Sequence, residues 1–341
     1  MRIALDAMGT DDYPSPDVAG AVEAAKELGD TIALVGDEDL LKAELSKHKT
    51  AGLALEIVHA PQMISMEDRP AEAARTKLES SMHIGMALVE SGEADGFVTC
   101  GNTGAALAVA TLHKIKRIRG VHRPALTSIV PVRGKPFILV DVGANVDSKP
   151  EWLLQFAVMG SIYAERVLNR QKPRIALLSL GEEEGKGNAL ISEASKLLAQ
   201  SDLNYVGNAE PKEMSTGRTD VLVCDGFVGN IFAKTLEAMG SNLFDAIRDE
   251  IDHSLRAKLG GFLMRPAYRR IFRQHDPFEI GGAPLLGVDG VVIIGHGRSN
   301  ALAVKNAIRQ AHQAVEGKIV EAIRDGLGQK SVPSSGQSGG H

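Results

Sequence analysis

The chain repeats one pattern along most of its 341 residues: a short apolar run, a loop rich in Gly, Asn and Asp, and a stretch with helical spacing. Strands that alternate with helices predict an α/β fold in which a mostly parallel sheet carries helices on both faces. The pattern predicts strands over residues 2–5, 31–35, 55–59, 96–99, 136–140, 174–178, 221–223 and 291–294. Helices are predicted over residues 16–28, 38–48 and 69–90, and after each later loop.

The composition excludes several classes of protein. The net charge is −5, so the chain lacks the overall positive charge of a non-specific nucleic-acid binder. Cys100 and Cys224 are too few for a disulfide framework and have no metal-site spacing. No run approaches about 18 apolar residues, and the first residues lack the apolar stretch of a signal peptide. We therefore expect a cytoplasmic protein with reduced thiols, no metal and no nucleic-acid partner.

The Gly/Asn/Asp loops follow the predicted strands, and ligands of such sheets bind at the carboxyl ends of strands. Five loops precede helices, and the N–H groups at a helix start attract anions. These loops lie around Asn102, Asn145, Lys186, Asn230 and His296. We expect them to meet at one pocket that binds an anion such as phosphate. Alternatively, each loop is only a turn between strand and helix, with Thr103 or Ser299 as a helix cap.

Standard nucleotide motifs do not fit. The loop from Gly181 to Lys186 resembles a Walker loop, but Gly187 replaces the Ser or Thr that would bind magnesium. Glu182, Glu183 and Glu184 in that loop either face solvent or hold Lys186 in place. Each cysteine is either a buried thiol or, less simply, a nucleophile that would need a nearby base.

Residues 240–280 break the rhythm and predict a projecting helical arm. Residues 253–275 contain six Arg or Lys and no Asp or Glu. Leu255, Leu259, Phe262 and Leu263 share one helical face, which Gly260, Gly261 and Pro266 should then interrupt. A basic amphipathic element with Phe and Leu indicates attachment to a membrane surface or an acidic protein. The alternative is packing in a dimer or in the core, with a solvated basic face.

Taken together, the loops resemble those of the bacterial phosphate acyltransferases of phospholipid synthesis, from Met1 to about residue 325. The motifs are Asp6-Ala7-Met8-Gly9, Gly101-Asn102-Thr103-Gly104-Ala105, Asp141-Val142-Gly143-Ala144-Asn145, Gly185-Lys186-Gly187-Asn188, Cys224-Asp225-Gly226-Phe227-Val228-Gly229-Asn230 and Gly295-His296-Gly297. Thr10 is a departure, because the family usually has Gly there. A β-branched residue restricts positive φ at that position.

The resemblance implies a fold like that of isocitrate and isopropylmalate dehydrogenases, a homodimer and no cofactor. It implies that phosphate attacks the thioester of a fatty acyl carrier protein to give acyl phosphate. The product would pass to a membrane acyltransferase that acylates glycerol 3-phosphate, which fits a protein held peripherally at the inner face of the membrane. Residues 1–330 would form one catalytic domain with the arm, and residues 331–341 a disordered tail.

This chemistry requires positioning and charge neutralisation rather than a covalent intermediate. We expect Lys186 to bind phosphate, Asn230 or Asn145 to stabilise the oxyanion, and His296 to protonate the leaving sulfur. Asp141 and Asp225 would orient Lys186 or loop amides. The expected phosphate or substrate contacts are Asn102, Thr103, Gly104, Asp141, Gly143, Asn145, Asn188, Asp225, Gly226, Gly229 and Ser299. Those of the arm, with membrane or carrier protein, are Arg256, Lys258, Leu259, Phe262 and Arg265.

Three rival functions remain at this point. The first is an acetyl-type phosphotransacylase that uses acyl-CoA. The second is a dehydrogenase on the same fold, which would need a nicotinamide cofactor and an acidic metal site. The third is a membrane-surface scaffold that has lost catalysis.

Overall fold

One sheet runs through the computed structural model, which describes residues 1–131 and 136–329. Within those ranges it has eleven strands: β1 (Arg2–Asp6), β2 (Thr31–Gly36), β3 (Leu55–His59), β4 (Gly96–Thr99), β5 (Ala125–Val130), β6 (Phe137–Val140), β7 (Ile175–Leu178), β8 (Tyr205–Ala209), β9 (Val221–Val223), β10 (Ala283–Leu286) and β11 (Val291–Ile294). Their order is β3-β2-β1-β4-β11-β10-β5-β6-β9-β7-β8. The predicted tail, residues 331–341, lies outside the described residues.

The helices of the described ranges are α1 (Ser15–Leu28), α2 (Glu38–Leu45), α3 (Pro70–Thr76), α4 (Ser81–Glu90), α5 (Thr103–Ala108), α6 (Pro150–Arg166), α7 (Ala189–Ala199), α8 (Gly226–Asp252), α9 (Leu255–His275), α10 (Ala301–Glu316) and α11 (Ile319–Gln329). A π-helical turn (Val109–His113) extends α5, and two 3-10 turns cover Pro211–Ser215 and Pro277–Glu279. The predicted fold class, a mostly parallel sheet with helices on both faces and a helical arm, is confirmed.

Strand direction reverses in the middle of the sheet. The strands β3, β2, β1, β4 and β11 are parallel to one another, and so are β6, β9, β7 and β8. Between these halves, β10 and β5 pair only antiparallel with their neighbours. The two halves therefore run in opposite directions, and the loops at their carboxyl ends form two groups.

The two faces of the sheet differ in how their apolar side chains cluster. Because alternate residues of a strand face opposite sides, Ile3 and Ile138 join one cluster that spans the whole sheet. The other face is divided into a cluster around Phe97 and a cluster around Leu222. Val142 packs against both of these smaller clusters. The division on this face therefore lies beside the loop that follows β6.

Several boundaries differ from those predicted. The long helix expected over 69–90 breaks into α3 and α4, because the Ser80 hydroxyl caps α4 by accepting from the His83 N–H. Three strands, β5, β8 and β10, were not predicted. Two of them lack a clear signal: β10 contains Pro284, and β8 contains Gly207 at φ +96°. Gly and Pro are depleted in strands, so pattern reading passes over such segments. The third, β5, has strand-forming residues such as Thr127, Ile129 and Val130, and was overlooked.

The arm is a hairpin of α8 and α9, as expected, but the predicted interruption of its second helix is wrong. Helix α9 continues through Pro266, and Gly261 is the point where α9 packs on α8. A Cβ atom at Gly261 would lie 2.7 Å from the Ile251 side chain, so the glycine permits this close approach. Residues 230–274 include no buried residue, and no described helix is long and apolar enough to cross a bilayer.

Candidate active site

The first loop group joins the carboxyl ends of β1, β4 and β11. The Thr99 hydroxyl donates to Asp6 at 2.7 Å, and the Gly101 N–H donates to the Thr99 hydroxyl at 3.0 Å. The Gly295 N–H donates to the Thr99 carbonyl at 2.7 Å. A Cβ atom at Gly9 would lie 2.8 Å from the Gly101 nitrogen. These three loops are therefore locked together by contacts between their own backbones and buried side chains.

Two buried carboxyl groups, Asp6 and Asp17, lie beneath this group. Burial raises the pKa of both, and that of Asp17 reaches about 8, with the charge of Asp6 contributing. Thr10 donates its hydroxyl to Asp17 and does not adopt a positive φ. The departure from Gly at position 10 thus supplies a hydrogen bond to a buried carboxyl group. Sequence analysis missed Asp17, because it appeared only as a polar residue in the first turn of α1.

Asn102 is committed to structure. Its side-chain oxygen accepts from the Ala105 N–H and caps α5, while its amide nitrogen donates to the carbonyls of Ser65 and Asp68. Thr103 and Gly104 are exposed at the start of α5, and a Cβ atom at Gly104 would lie 2.8 Å from the Pro70 ring. The alternative interpretation of Thr103 and Ser299 as helix caps is wrong, because Asn102 and Asn300 cap these helices. Ser299 is buried next to Cys100.

His296 is an exposed polar side chain of the first group that can act on a ligand. Its Nδ1 accepts from the Arg298 N–H at 3.1 Å, so the neutral ring carries its proton on Nε2. Partial burial, then Lys234 and Arg298, lower the pKa of His296 below its usual range. The ring is therefore neutral near pH 7. This weakens the expectation that it protonates the leaving sulfur and favours a hydrogen-bond donor.

The second loop group follows β6, β9 and β7, which are neighbours in the sheet. Asp141 accepts five hydrogen bonds, from the N–H groups of Leu126, Gly143, Ala144 and Asn145 and from the Asn145 side chain. Burial raises the pKa of Asp141, and these donors oppose the rise. Asp141 therefore orients loop amides, one of its two expected roles, and does not contact Lys186.

Asn145 cannot stabilise an oxyanion in this arrangement. Its amide nitrogen donates to the Pro124 carbonyl at 2.7 Å and to Asp141 at 2.9 Å, which uses both hydrogens. The backbone carbonyl of Asn145 accepts from the Gly226 N–H at 2.8 Å. The expectation for Asn145 is corrected: a buried amide that ties the loop to β5 and α8 has no donor left for substrate.

The glycines at the start of α8 allow close approach to the Asp141 loop. A Cβ atom would lie 1.8 Å from the Asp141 carbonyl at Gly229, and 2.6 Å from the Asn145 carbonyl at Gly226. The N–H groups of Gly143, Gly226 and Gly229 all donate within the protein, so they do not bind phosphate as expected. Asp225 caps α8 through the Val228 N–H and does not orient Lys186.

Asn230 is in a different position from the other asparagines. It lies one turn into α8, is exposed, and its side-chain amide makes no hydrogen bond within the described residues. Its side chain stands 3.7 Å from where a Cβ atom of Gly143 would be. Gly143 has φ +137°, which only glycine adopts readily. An amide without a hydrogen-bond partner in the described residues, here called uncommitted, therefore borders the space that Gly143 leaves open.

Lys186 has an anchored backbone and a free side chain. Its N–H donates to the Glu183 carbonyl, and its own carbonyl accepts from Ser179 and Asn208. In the described part of the chain its ammonium group forms no ion pair. The open question about the three glutamates is answered, because Glu182 pairs with Lys212 and Arg218 and none of them pairs with Lys186. Asn188 caps α7 through the Ile191 N–H.

Neither cysteine can act as a thiolate here. Cys100 and Cys224 are free and fully buried, and burial raises the pKa of both thiols above the usual range. The interpretation as buried thiols is confirmed. Residues 1–131 and 136–329 contain no group of three or more His, Cys, Asp or Glu that could hold a metal ion.

The expected single pocket needs correction, because the loops form two groups. Two small cavities of the described residues lie elsewhere, one beside Tyr163 and the β10–β11 hairpin, the other between Phe137 and Glu213. Helix α8 connects the groups: it begins at the Asp141 loop, and Lys234, one turn after Asn230, lies close enough to His296 to lower its pKa. The candidate site is therefore the first turns of α8, with Asn230 and Lys234 on one face.

Known proteins resemble this chain over nearly its whole length. A family model described as "Fatty acid synthesis protein" matches residues 1–322. "Phosphate acyltransferase" of Dictyoglomus turgidum is 45% identical over 329 residues, which cover 96% of this chain and 98% of that protein. The protein of the same name from Clostridium acetobutylicum is 46% identical and covers 95% and 98%. The chain belongs to the phosphate acyltransferase family. The resemblance found in the motifs is confirmed, and the chain is an acyltransferase.

Solved structures show the same fold at low identity. A phosphotransacetylase from Streptococcus pyogenes has a TM-score of 0.61 and 18% identity, covering 93% of this chain and 94% of that one. A branched-chain phosphotransacylase from Enterococcus faecalis also has a TM-score of 0.61, with 14% identity and coverage of 92% and 99%. In this phosphate acyltransferase, the uncommitted polar groups are Asn230, Lys186 and His296. Lys234 lies beside them on α8, with its ammonium group paired to Glu237 at 3.2 Å. It was not predicted, and its spacing of four residues from Asn230 was the available signal.

Proposed function

We propose that this enzyme transfers a fatty acyl group from the thioester of acyl carrier protein to inorganic phosphate and so supplies acyl phosphate for phospholipid synthesis. The observation that carries the proposal is a pair of uncommitted polar side chains, Asn230 and Lys186, at neighbouring strand ends of a phosphate acyltransferase. One is a neutral donor suited to an oxyanion, and the other is a cation suited to phosphate.

The reaction needs no covalent enzyme intermediate. An oxygen of phosphate attacks the thioester carbon and forms the new C–O bond, giving a tetrahedral oxyanion. The C–S bond then breaks, and the sulfur leaves as a thiolate that takes up a proton, since a free thiol has a pKa near about 8.5. Buried thiols with raised pKa values are consistent with a direct transfer. The enzyme contributes orientation and charge stabilisation.

Each uncommitted group has one role in this proposal. Lys186 neutralises the phosphate as it approaches the thioester. Asn230 donates to the oxyanion over the space left by Gly143. His296 donates its Nε2 hydrogen to the leaving sulfur or to phosphate, as a neutral ring rather than an acid.

The decisive experiment follows the release of carrier-protein thiol when phosphate is added to palmitoyl carrier protein. We expect release with the intact enzyme, and at least about tenfold slower turnover for Lys186→Ala, the effect of a lost charge-assisted contact. Lys196→Ala, an exposed lysine on α7, is the matched control and should match the parent. Unchanged turnover for Lys186→Ala would remove that residue from the mechanism.

The same assay separates the alternative function. An acetyl-type phosphotransacylase would use acetyl-CoA efficiently and palmitoyl carrier protein poorly. We expect the reverse preference. Absorbance at 340 nm with a nicotinamide cofactor tests the dehydrogenase alternative, for which we expect no change. A chain that binds vesicles without forming acyl phosphate would be a scaffold.

We also propose that the arm contacts other molecules. Leu255, Leu259, Phe262 and Leu263 are 64–87% exposed, which is unusual for large apolar side chains in water. The face they share on α9 lies beside the basic residues Arg256, Lys258 and Arg265. The base of the arm would pair with a second copy of the chain to give a homodimer. The tip of the arm would bind the membrane surface, near the acyltransferase that uses the product. The double variant Leu259→Asp with Phe262→Asp should no longer float with vesicles. Light scattering of the parent should give the mass of a dimer.

A further inference from the structure

A second basic surface lies on the body of the molecule, away from the arm. Residues 113–123, here called the basic segment, contain five Lys or Arg and no Asp or Glu. Ile115, Ile118 and Val121 recur every third position and are buried, at most 6% exposed. The basic side chains between them therefore turn outward, and four of the five are exposed: Lys116, Arg117, Arg119 and Arg123.

These charges are not neutralised by the described part of the chain. None of the five basic residues forms an ion pair there. Asp289 donates its N–H to the Lys116 carbonyl, but its carboxylate pairs with Arg324 at 2.5 Å. Asp147 in the flanking loop and Glu151 in the first turn of α6 are exposed and form no ion pair with another described residue. A concentration of positive charge therefore remains on the surface of a protein whose net charge is −5.

Several of these side chains are held in place before any partner arrives. Arg117 donates to the His122 carbonyl. The Lys116 ammonium donates to the carbonyls of Leu112 and His113 at 2.8 and 3.0 Å. The Arg123 guanidinium lies 5.1 Å from the centroid of the Trp152 ring, within cation–π range. Side chains that are already ordered lose less entropy on binding, and guanidinium groups match carboxylates in two-point hydrogen bonds.

The basic segment borders the second loop group. It ends next to Pro124, whose carbonyl accepts from Asn145 at 2.7 Å. Leu126, two residues later, donates its N–H to Asp141 at 3.0 Å. Lys149, on the far side of the same loop, lies 5.9 Å from the centroid of the Trp152 ring. A partner bound at this segment would therefore be next to the loop that faces Asn230.

We propose that the basic segment docks the acidic face of the protein that carries the acyl group. This inference rests on the proposed function, because it assumes a protein-bound donor. A protein fits better than a lipid surface. The apolar residues of the segment point inward, and Leu112 just before it is a single exposed apolar side chain, whereas the arm exposes Leu255, Leu259, Phe262 and Leu263 on one face. Complementary charge sets the association rate and its salt dependence. The arm is then left to the membrane and the second copy.

The test uses Arg119→Glu, because Arg119 is exposed and its side chain forms no hydrogen bond or ion pair with another described residue. We expect the KM for palmitoyl carrier protein to rise about fivefold or more, with kcat unchanged and a weaker dependence on salt. The KM for palmitoyl-CoA, which needs no protein docking, should stay within about twofold of the parent. Lys49→Glu, the same charge change beside the distant edge strand β3, is the matched control. Arg119→Gln should have a smaller effect in the same direction.

The outcomes separate the two proposals. If the parent enzyme releases no thiol from palmitoyl carrier protein, the proposed function fails and this inference with it. If the parent is active but Arg119→Glu keeps the parent KM and salt dependence, only the docking site is overturned. An equal rise in KM for palmitoyl-CoA would also overturn it, since the defect would then be general. Loss of binding to anionic vesicles by Arg119→Glu would instead assign the segment to the membrane.

Discussion

The two loop groups grow from the same local pattern, an apolar strand followed by a polar loop and a capped helix, but they use their polar residues differently. In the first group, the hydroxyls of Thr99 and Thr10 donate hydrogen bonds to buried carboxyl groups. In the second group, the Asp141 carboxylate accepts hydrogen bonds from the backbone N–H groups of the loops around it. Asn230 and Lys186 are then left free at its surface. The first group mainly stabilises the fold, a role here called the brace, and the second group presents most of the side chains that we assign to the reaction.

Two asparagines show why the groups differ. Asn102 is the residue before α5, so its side chain serves as the helix cap. Asn230 is one turn into α8, where Asp225 already caps the helix. Position relative to the cap therefore decides whether an asparagine is committed to the fold or available to a ligand.

Replacing each asparagine tests this difference most strongly. Asn230→Ala should lower kcat by about 100-fold or more, the effect of removing one oxyanion donor, with an unchanged melting temperature. Asn102→Ala should do the opposite: a loss of about 1–2 kcal/mol in the free energy of unfolding, with kcat within about threefold. Turnover assays and urea unfolding on both variants give the comparison. Equal effects of both variants on kcat would abolish the distinction between the groups.

Most of the strands, the family, the arm and the positions of the loops could be predicted from the sequence. Continuously apolar runs set most of the strands, and the order of the motifs identified the family. The arm was recognised from its basic amphipathic composition. The loops also fall at strand ends as expected, because Gly, Asn and Asp interrupt apolar runs wherever the chain leaves a buried sheet.

The remaining errors have physical causes that a linear pattern does not contain. The reversal of strand direction depends on β5 and β10, neither of which was predicted, so the split into two groups was not visible. Asn145 was expected to bind substrate because its type suits an oxyanion, but hydrogen bonds to Pro124 and Asp141 use its donors. The basic segment, in contrast, had a clear signal in its charges and was overlooked among helical residues.

The buried carboxyl group under the first loop group predicts a dependence of stability on pH. The pKa of Asp17 is about 8 in the folded protein, above its unfolded value, so the folded state holds an extra proton between those two values. Stability should therefore fall as pH rises from 6.5 to 8, by up to about 1.4 kcal/mol per pH unit. Burial lowers the pKa of His83 to about 4, so His83 adds a slope of opposite sign below its unfolded value of about 6.5, and only its tail reaches the lower edge of this window.

Asp17→Asn is the control for that dependence, because it keeps the shape of the side chain and removes its titration. Urea unfolding at several pH values between 6.5 and 8 should give a flatter line for this variant. Asp6 is also buried with a raised pKa, so some slope can remain. An unchanged slope in Asp17→Asn would show that Asp17 carries no proton of this kind.

Thr10→Val tests the brace at the scale of a single hydrogen bond. The change keeps the shape of the side chain but removes the hydroxyl that donates to Asp17. It should lower the free energy of unfolding by about 1–3 kcal/mol. Turnover should remain within about threefold, because this group does not present the chemistry. Thr10→Ser keeps the hydroxyl and should lie closer to the parent in stability. A large loss of kcat without loss of stability would place Thr10 at the reacting atoms instead.

His296 is the one exposed side chain of the first group that we assign to the reaction, and it should show the smallest effect. Its Nδ1 is occupied by the Arg298 N–H and its pKa is lowered by burial, so it acts as a neutral donor through Nε2. Glutamine can present a similar N–H, so His296→Gln should stay within about fivefold of the parent in kcat. Loss of a general acid would cost about 100-fold or more. The kcat of the parent should also be nearly level from pH 7.5 to 8.5, because a ring with a pKa below 6.5 is mostly neutral there. A fall in kcat across that range that disappears in His296→Gln would show that the protonated ring takes part, and the first group would then supply an acid as well as a brace.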